Sequence, residues 1–258
     1  MNKRIILTFG KQCNMNCPFC YGYFDGKDLD LDIISRIVSI CADKDIKKIS
    51  VAGGDPLDYQ YIDKVVKLAI KEGLSVDLDS NCWSYSEKKH KEILKNVDYL
   101  GIPIDGDNAD LHDSIRNKKG SFDKIMQVLK SVDCKVSVNT VVTKDNFNYL
   151  NEIYSLIKKF PIIKQWHVYE LLPLLVDDDY YMEQYVEHEL YCKFIDTLRN
   201  DKEIDIFCKP KIGRVTSHMF VSTGGDIYCN DHENPLCYKH FGSIFEVGNL
   251  NNMIKYVY

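Results

Sequence analysis

Three cysteines stand within eight residues near the start of the chain, at Cys13, Cys17 and Cys20. Thiolates at this spacing can bind three irons of a 4Fe–4S cluster, which normally takes four cysteines, one for each iron. The fourth iron would then have no protein ligand. An open coordination position at a protein-bound metal usually serves chemistry rather than structure. The triad therefore predicts a reactive metal centre.

Two simpler interpretations compete with an iron–sulfur cluster. Zinc also binds thiolates, but structural zinc sites commonly pair two C-x-x-C motifs, and no second one follows in this chain. A chance group of buried thiols is the other alternative, since the chain contains ten cysteines. The tight spacing of the triad favours iron–sulfur chemistry over both.

The composition narrows the class of protein. The chain has 258 residues, 45% hydrophobic content and a net charge of −5, which suits one α/β domain and argues against a nucleic-acid polymer as partner. The apolar segment 4–9 is too short for a signal sequence or a membrane span. We therefore expect a cytoplasmic protein without a membrane partner, whose reduced cysteines are metal ligands or buried thiols.

Segments typical of strands alternate six times with segments typical of helices. Such alternation predicts parallel strands joined by crossover helices, and six units form a partial barrel. The predicted strands are 4–9, 48–52, 74–79, 99–104, 135–142 and 165–171. The predicted helices are one capped by Asp30 or Asp32, then 61–72, 86–95, 121–131 with Ser121 as its cap, and 149–159.

The pattern changes after residue 172. A long polar helix is expected from Asp177 to about Asn200, followed by a hairpin over 219–229 and a small closing helix. We therefore divide the chain into a barrel core, residues 1–172, and a C-terminal hairpin-plus-helix extension, residues 173–258.

Glycine-rich and polar loops follow the first four predicted strands. In parallel α/β barrels, the loops after the strands lie at one face and build the active site. We expect these loops to lie together, with Asn139-Thr140 from the fifth strand: the cysteine triad, Gly53-Gly54-Asp55-Pro56, Ser80-Asn81 and Asp105-Gly106.

The cysteine motif, with Phe19 as the aromatic residue before the last cysteine, resembles the signature of the radical S-adenosylmethionine (radical SAM) superfamily. The resemblance implies a partial (β/α)6 TIM-like barrel, a 4Fe–4S cluster and S-adenosylmethionine bound to the unligated iron. It also implies reductive cleavage of that cofactor to a 5′-deoxyadenosyl radical, which abstracts a hydrogen atom from the substrate. A reductase, flavodoxin or ferredoxin would supply the electron.

The same resemblance suggests cofactor-binding residues. Gly53-Gly54-Asp55-Pro56 is similar to the family's Gly-Gly-Glu-Pro loop, which binds the methionine amino group. Arg116 is expected to pair with the cofactor carboxylate, or else with Asp113 in a surface salt bridge. Pro103 stands where relatives often have serine. The remaining candidates are Asn139 near the ribose, Ser80 and Asn81 in the same region, and Tyr21, which either covers the cluster or packs on its loop.

The sixth strand alternates, so one set of its side chains faces the barrel lumen. The inward set is either Trp166, Val168 and Glu170, or His167 and Tyr169. Glu170 or His167 is a candidate substrate contact.

Cys208, Gly224 and Cys229, with Cys237 soon after, resemble the opening of the twitch/SPASM extension. This resemblance suggests a possible second iron–sulfur cluster. Three thiolates are one short of a full set, so a fourth ligand would come from elsewhere. The alternative is a metal-free remnant of that extension.

Three functions remain open at this point. Asp105-Gly106 followed by His112-Asp113 and Arg116 is similar to a stretch in peptide-modifying radical SAM members, which implies a peptide substrate that is cross-linked, epimerised or oxidised. Segments 139–142 and 166–172 also look like viperin, which implies a nucleotide or another small-molecule substrate. A non-catalytic iron–sulfur scaffold is the alternative from another class.

Overall fold

The computed structural model describes residues 3–10, 13–23, 26–27, 30–198, 203–211, 218–234 and 236–258. Ten strands form one sheet in the order β10-β9-β8-β1-β2-β3-β4-β5-β6-β7. Their bounds are β1 Lys3–Thr8, β2 Ile46–Ala52, β3 Ser75–Asp79, β4 Tyr99–Pro103, β5 Val136–Val142, β6 Ile163–Glu170, β7 Asp205–Lys209, β8 Met219–Ser222, β9 Asp226–Asn230 and β10 Tyr238–Ser243.

Helices connect the parallel strands and cover one face of the sheet. Asp30 caps the first helix by accepting the backbone N–H groups of Asp32 and Ile33, as a short acidic side chain at this position commonly does. The helices are α1 Leu31–Asp43, α2 Ile62–Lys71, α3 Glu87–Leu94, α4 Ala109–Arg116, α5 Ser121–Ser131, α6 Lys144–Phe147, α7 Leu150–Ile157, α8 Asp178–Gln184, α9 His188–Leu198 and α10 Asn249–Val257.

The predicted alternation of parallel strands is confirmed. Strands β1 to β6 pair with one another in chain order, all parallel. Two further parallel strands extend the sheet, because β8 pairs with β1 and β7 pairs with β6. The predicted hairpin is formed by β8 and β9, which are antiparallel. Strands from the predicted core and from the predicted extension therefore belong to one sheet.

The sheet curves around a cavity. Side chains from β1 to β6 and from β8 to β10 all line that cavity, which requires the sheet to close partly on itself. The opposite face is apolar and packs against the helices; Trp166, for example, is fully buried and stacks on Tyr154 with ring centroids 5.3 Å apart. This arrangement is the predicted partial barrel.

Two predictions about helices are wrong. The polar helix after Asp177 is broken into α8 and α9, because Tyr185 is extended (φ −69°, ψ 139°) and the chain there buries Val186. Ser121 is the first residue of α5 rather than its cap, since Gly120 occupies that position. Among the described residues, none of the helices has the length and apolar content needed to cross a membrane.

Candidate active site

The three cysteines lie in the loop after β1 and border the cavity at the carboxyl ends of the strands. A turn in which the Cys20 N–H donates to the Cys17 carbonyl (3.1 Å) brings these two together. Burial raises the pKa of Cys13 to about 11 and also raises the pKa of Cys17. Metal binding reverses this preference, because a coordinated thiol is deprotonated.

The residues around the triad fit an iron–sulfur cluster. Asn81 Nδ2 donates to Cys13 Sγ at 3.3 Å, and Arg116 Nη1 lies 3.9 Å from Cys17 Sγ. Hydrogen bonds of this kind stabilise thiolate sulfur. Within the described ranges, no three Cys, His, Asp or Glu side chains are already close enough to hold a metal ion. The triad therefore shares a cavity without forming a preassembled ligand set.

Asn14 ties the cysteine loop to the neighbouring loops. Its Nδ2 donates to Asp55 Oδ2 (3.3 Å) and Asp58 Oδ2 (2.6 Å), while its Oδ1 accepts from Asn81 Nδ2 (2.8 Å). The predicted convergence of the loops after β1, β2 and β3 is thus present, and Asn14 contributes to it without having been predicted.

The glycines after β2 bring backbone to the cavity wall. Gly53 and Gly54 line the cavity and have φ values of +78° and +57°, in the left-handed region. A Cβ at Gly53 would lie 2.9 Å from the backbone nitrogen of Phe9, so no larger residue fits beside β1 without a shift. These backbone groups remain accessible to a cofactor in the cavity.

Asp55 and Pro56 are buried behind this loop. The Asp55 carboxylate accepts from Ser80 Oγ (2.5 Å) and from the Leu57 N–H (3.3 Å). Burial raises the pKa of Asp55 to about 6, against the effect of these hydrogen bonds. Asp55 therefore supports the loop and connects it to Ser80, which is itself buried.

Arg116 pairs with Asp105, and the predicted alternative of a salt bridge to Asp113 is wrong. Arg116 Nε donates to Asp105 Oδ2 at 2.5 Å, and the guanidinium lies 5.0 Å from the Phe19 ring centroid. Burial alone lowers the pKa of Arg116, but Asp105 and Cys17 raise it above its usual value. A permanent positive charge therefore stands at the cavity wall beside the triad.

Three further candidates lie at or near the cavity. Asn139 on β5 lines it. Tyr21 lines its mouth and is 36% exposed, and the Tyr21 carbonyl accepts a hydrogen bond from the Tyr238 hydroxyl (2.7 Å). Phe19 is mostly buried and packs with Ile115 and Leu171.

On β6, the inward set is His167 and Tyr169, together with Gln165. Glu170 faces the helices, where its Oε2 pairs with His188 Nδ1 (3.0 Å) and accepts from the Lys211 N–H (2.7 Å). The prediction of Glu170 as a substrate contact is therefore wrong, whereas His167 lies on the cavity side.

Asp77 and Asp79 on β3 also line the cavity, and neither is predicted from the sequence. The signal was available, because these polar residues alternate with the buried Val76 and Leu78. An alternating strand with acids on one face predicts a polar lumen.

The structure does not bring Cys208, Cys229 and Cys237 together. Cys208 lies on β7 at one end of the sheet, and Cys229 lies on β9 near the other end. Cys229 Sγ donates to the Asn230 carbonyl (3.2 Å), and Cys237 is exposed just before β10. The second cluster therefore has no assembled site among the described residues.

Comparison with known proteins identifies the family. The model of the Radical SAM superfamily matches residues 7–157, more than half of the chain. The chain belongs to the radical SAM superfamily. It is thus an S-adenosylmethionine-dependent enzyme, and membership implies a 4Fe–4S cluster at the triad.

Radical SAM proteins of different activities resemble this chain. The AdoMet-dependent heme synthase of Methanosarcina barkeri is 25% identical over 88% of this chain and 67% of its own length. The S-adenosylmethionine-dependent nucleotide dehydratase of Flammeovirga pacifica is 22% identical over 92% of this chain and 84% of its own length.

Solved radical SAM structures share the fold. SuiB from Streptococcus suis, bound to its precursor peptide SuiA, has a TM-score of 0.75 at 15% identity and covers 96% of this chain. The chain spans 63% of the length of SuiB. The enzyme anSMEcpe, with bound AdoMet and the Cp18Cys peptide, has a TM-score of 0.72 at 18% identity over 99% of this chain and 83% of that structure.

Proposed function

We propose that this radical SAM enzyme abstracts a hydrogen atom from a peptide substrate bound in the cavity of the barrel. The cluster and S-adenosylmethionine, when bound, supply a 5′-deoxyadenosyl radical as the abstracting species. The protein's part is to hold both groups, to orient the substrate and to exclude water.

Different residues of the cavity bind the cluster and the different parts of the cofactor. Cys13, Cys17 and Cys20 hold the cluster, and the Gly53-Gly54 backbone accepts the cofactor amino group. Arg116, held by Asp105, binds the cofactor carboxylate. Asn139, which lines the same cavity, contacts the ribose.

The shape and the charge of the cavity support a peptide as the substrate. The cavity runs from the triad to the aromatic side chains Phe220, Tyr228 and Tyr238 on β8, β9 and β10, which suits an extended chain with side chains to bury. Its described lining holds the cations Arg4 and Arg116 and the acids Asp77 and Asp79. A triphosphate binds best to a cluster of basic groups. Two arginines and two aspartates in the same lining do not form such a cluster. SuiB and anSMEcpe, which share the fold, both bind peptides.

The test begins with cofactor cleavage. Anaerobically reconstituted protein, given S-adenosylmethionine and dithionite, should form 5′-deoxyadenosine, and Cys17→Ala should form at least 100-fold less because the cluster is lost. The matched control is Cys134→Ala, a buried thiol far from the triad in sequence, which should retain activity. Equal product from wild type and Cys17→Ala would contradict a radical SAM centre at this site.

The substrate is then sought among short peptides, starting with those encoded beside the gene. A mass change in one of them, dependent on S-adenosylmethionine and on Cys17, supports the proposal.

A nucleotide is the second candidate, because similarity to the nucleotide dehydratase of Flammeovirga pacifica extends over most of both chains. Incubation with each nucleoside triphosphate tests it. Loss of one water from a triphosphate, without modification of any peptide, would replace the peptide proposal with this one.

A further inference from the structure

A row of three polar side chains crosses the cavity wall, from Asp79 on β3 through Asn139 on β5 to His167 on β6. Asn139 Nδ2 donates to Asp79 Oδ1 at 3.2 Å, and Asn139 Oδ1 lies 3.1 Å from His167 Nδ1. All three residues line the cavity. The row therefore joins three strands at the surface that a substrate would meet.

Gly101 makes this row possible. Strand β4 lies between β3 and β5, and Asp79 is in register with Gly101 on it. A Cβ at Gly101 would overlap Asp79 Oδ1 and would lie 3.1 Å from Asn139 Nδ2. Because Gly101 has no side chain, the Asp79 carboxylate can reach across β4 to Asn139. This glycine is therefore needed for the row of polar side chains and not for a turn.

The hydrogen bonds determine which atoms of the row accept. A carboxylate only accepts, so the Asn139 amide presents Nδ2 to Asp79 and Oδ1 to His167. His167 Nδ1 must then carry the proton, which leaves Nε2 as an acceptor. Burial, with Lys209 and Arg4, lowers the pKa of His167 to about 3. The imidazole is therefore neutral, and the row supplies no cation of its own to Asp79.

The two acids of β3 differ in their partners. Asp77 is paired with Lys48 Nζ at 2.9 and 3.1 Å. The hydrogen bond that the structure gives Asp79 comes from a neutral amide, and no ion pair within 4.0 Å involves it among the described residues. Arg4, on β1, also lines the cavity and is the basic group that lowers the pKa of Asp79, while burial raises it to about 6.

The other side of the cavity is aromatic. The rings of Phe220 and Tyr228 stack with centroids 5.1 Å apart, and Tyr238 meets Tyr228 edge-on at 4.9 Å. Because Phe220 and His240 stack on Tyr228, these rings cover one another's faces and offer the cavity an apolar packing surface. A carboxylate and an apolar surface in the same cavity are together complementary to a long side chain with a positive end.

We propose that Asp79 is the counter-ion for a positively charged side chain of the substrate, with Asn139 and His167 as positioning residues and the aromatic side chains of β8, β9 and β10 as the packing surface. This inference rests on the proposed peptide substrate. It adds a specificity that cofactor cleavage by itself does not require.

The experiment uses three pools of random dodecapeptides with acetylated N-termini, fixed at one central position as lysine, norleucine or glutamate. Reconstituted enzyme with S-adenosylmethionine, immobilised anaerobically, retains peptides that are counted by mass spectrometry. We expect retention of the lysine pool to exceed that of the norleucine pool roughly tenfold, since a hydrogen bond to a charged group is worth that much. In Asp79→Asn the ratio should fall to about two or less.

Asp77→Asn is the matched control, because it removes a neighbouring acid that is already paired with Lys48, and it should keep the lysine preference. Equal retention of the three pools by wild type, preference for glutamate, or no retained peptide at all would overturn the inference. An unchanged ratio of lysine-pool to norleucine-pool retention in Asp79→Asn would also overturn it. Formation of 5′-deoxyadenosine by the same preparation shows that its radical centre is intact. In such a preparation, retention of no peptide from any pool also contradicts the proposed peptide substrate, whereas retention without preference for lysine contradicts this inference alone.

Discussion

Single residues of the site carry charges that burial disfavours. Burial raises the pKa of both Asp55 and Asp79 to about 6. Hydrogen bonds from Ser80 and from the Leu57 N–H offset this effect at Asp55, whereas Asp79 receives its described hydrogen bond from Asn139. Strongly perturbed carboxyl groups in a cavity are typical of functional sites. Asp79 therefore lowers the stability of the free enzyme.

The pH dependence of unfolding tests whether Asp79 lowers the stability of the free enzyme. The pKa of Asp79 is higher in the folded state than the unfolded value of 3.8, so its contribution to stability falls as pH rises through 4 to 6 and stays low above that range. Asp79→Asn should stabilise the cluster-free protein by about 1–2 kcal/mol at pH 8, allowing for access of water to the side chain. At pH 4 the difference should nearly vanish. Urea unfolding measures both values, and a variant less stable than wild type at pH 8 would contradict the argument.

At the scale of elements, the corner between α4 and α5 holds Arg116 in place. The buried His112 has its pKa lowered to about 4 by burial, so it is neutral, and its Nδ1 accepts from the Asp105 N–H at 3.1 Å. Asp113 accepts from the backbone N–H groups of Gly120 (2.5 Å) and Phe122 (2.9 Å) at the start of α5. Gly120, the N-cap residue, has no side chain to accept such bonds, so Asp113 supplies the side-chain cap of α5, and α4 can present Arg116 to Asp105.

Removing this cap should loosen the corner. We expect Asp113→Ala to lower the free energy of unfolding by about 1–2 kcal/mol, as loss of a helix cap does, and Asp113→Asn to recover part of it. Asp110→Ala, an exposed acid in the first turn of α4, is the control and should cost less than about 0.5 kcal/mol. Urea unfolding is the measurement. Equal losses for Asp113→Ala and Asp110→Ala would show that Asp113 is not a cap.

At the scale of the whole molecule, the sheet separates the two groups of cysteines. The triad borders one cavity, whereas Cys208 and Cys229 lie near opposite ends of the sheet. Both thiols belong to the apolar core between the sheet and the helices rather than to the cavity, and among the described residues no three Cys, His, Asp or Glu side chains lie close enough to hold a metal ion. The described residues therefore provide a site for one cluster, at the triad.

Metal content tests this conclusion. Anaerobic reconstitution should load about four irons and four sulfides per chain. The triple variant Cys208→Ala, Cys229→Ala, Cys237→Ala should retain them, while Cys13→Ala should lose most of the iron. Iron and sulfide assays, with the visible absorption of the cluster, measure both. About eight irons per chain, or loss of half the iron in the triple variant, would restore the second cluster.

The sequence by itself determined the features that depend on neighbours along the chain. The spacing of Cys13, Cys17 and Cys20, the helix cap at Asp30 or Asp32 and the glycines after β2 are local patterns. The alternation of strands and helices is a repeated local pattern, so the parallel sheet and the meeting of its loops could be predicted. The family followed from the same residues.

Only the tertiary structure decided what depends on pairing between distant strands. The partner of Arg116, the inward face of β6 and the separation of Cys208 from Cys229 all follow from strand order and from packing against the helices. The row from Asp79 to His167 exists because the register of β3, β4 and β5 places Gly101 between two polar side chains. Register is a relation between segments far apart in sequence, and residue spacing within one segment does not encode it.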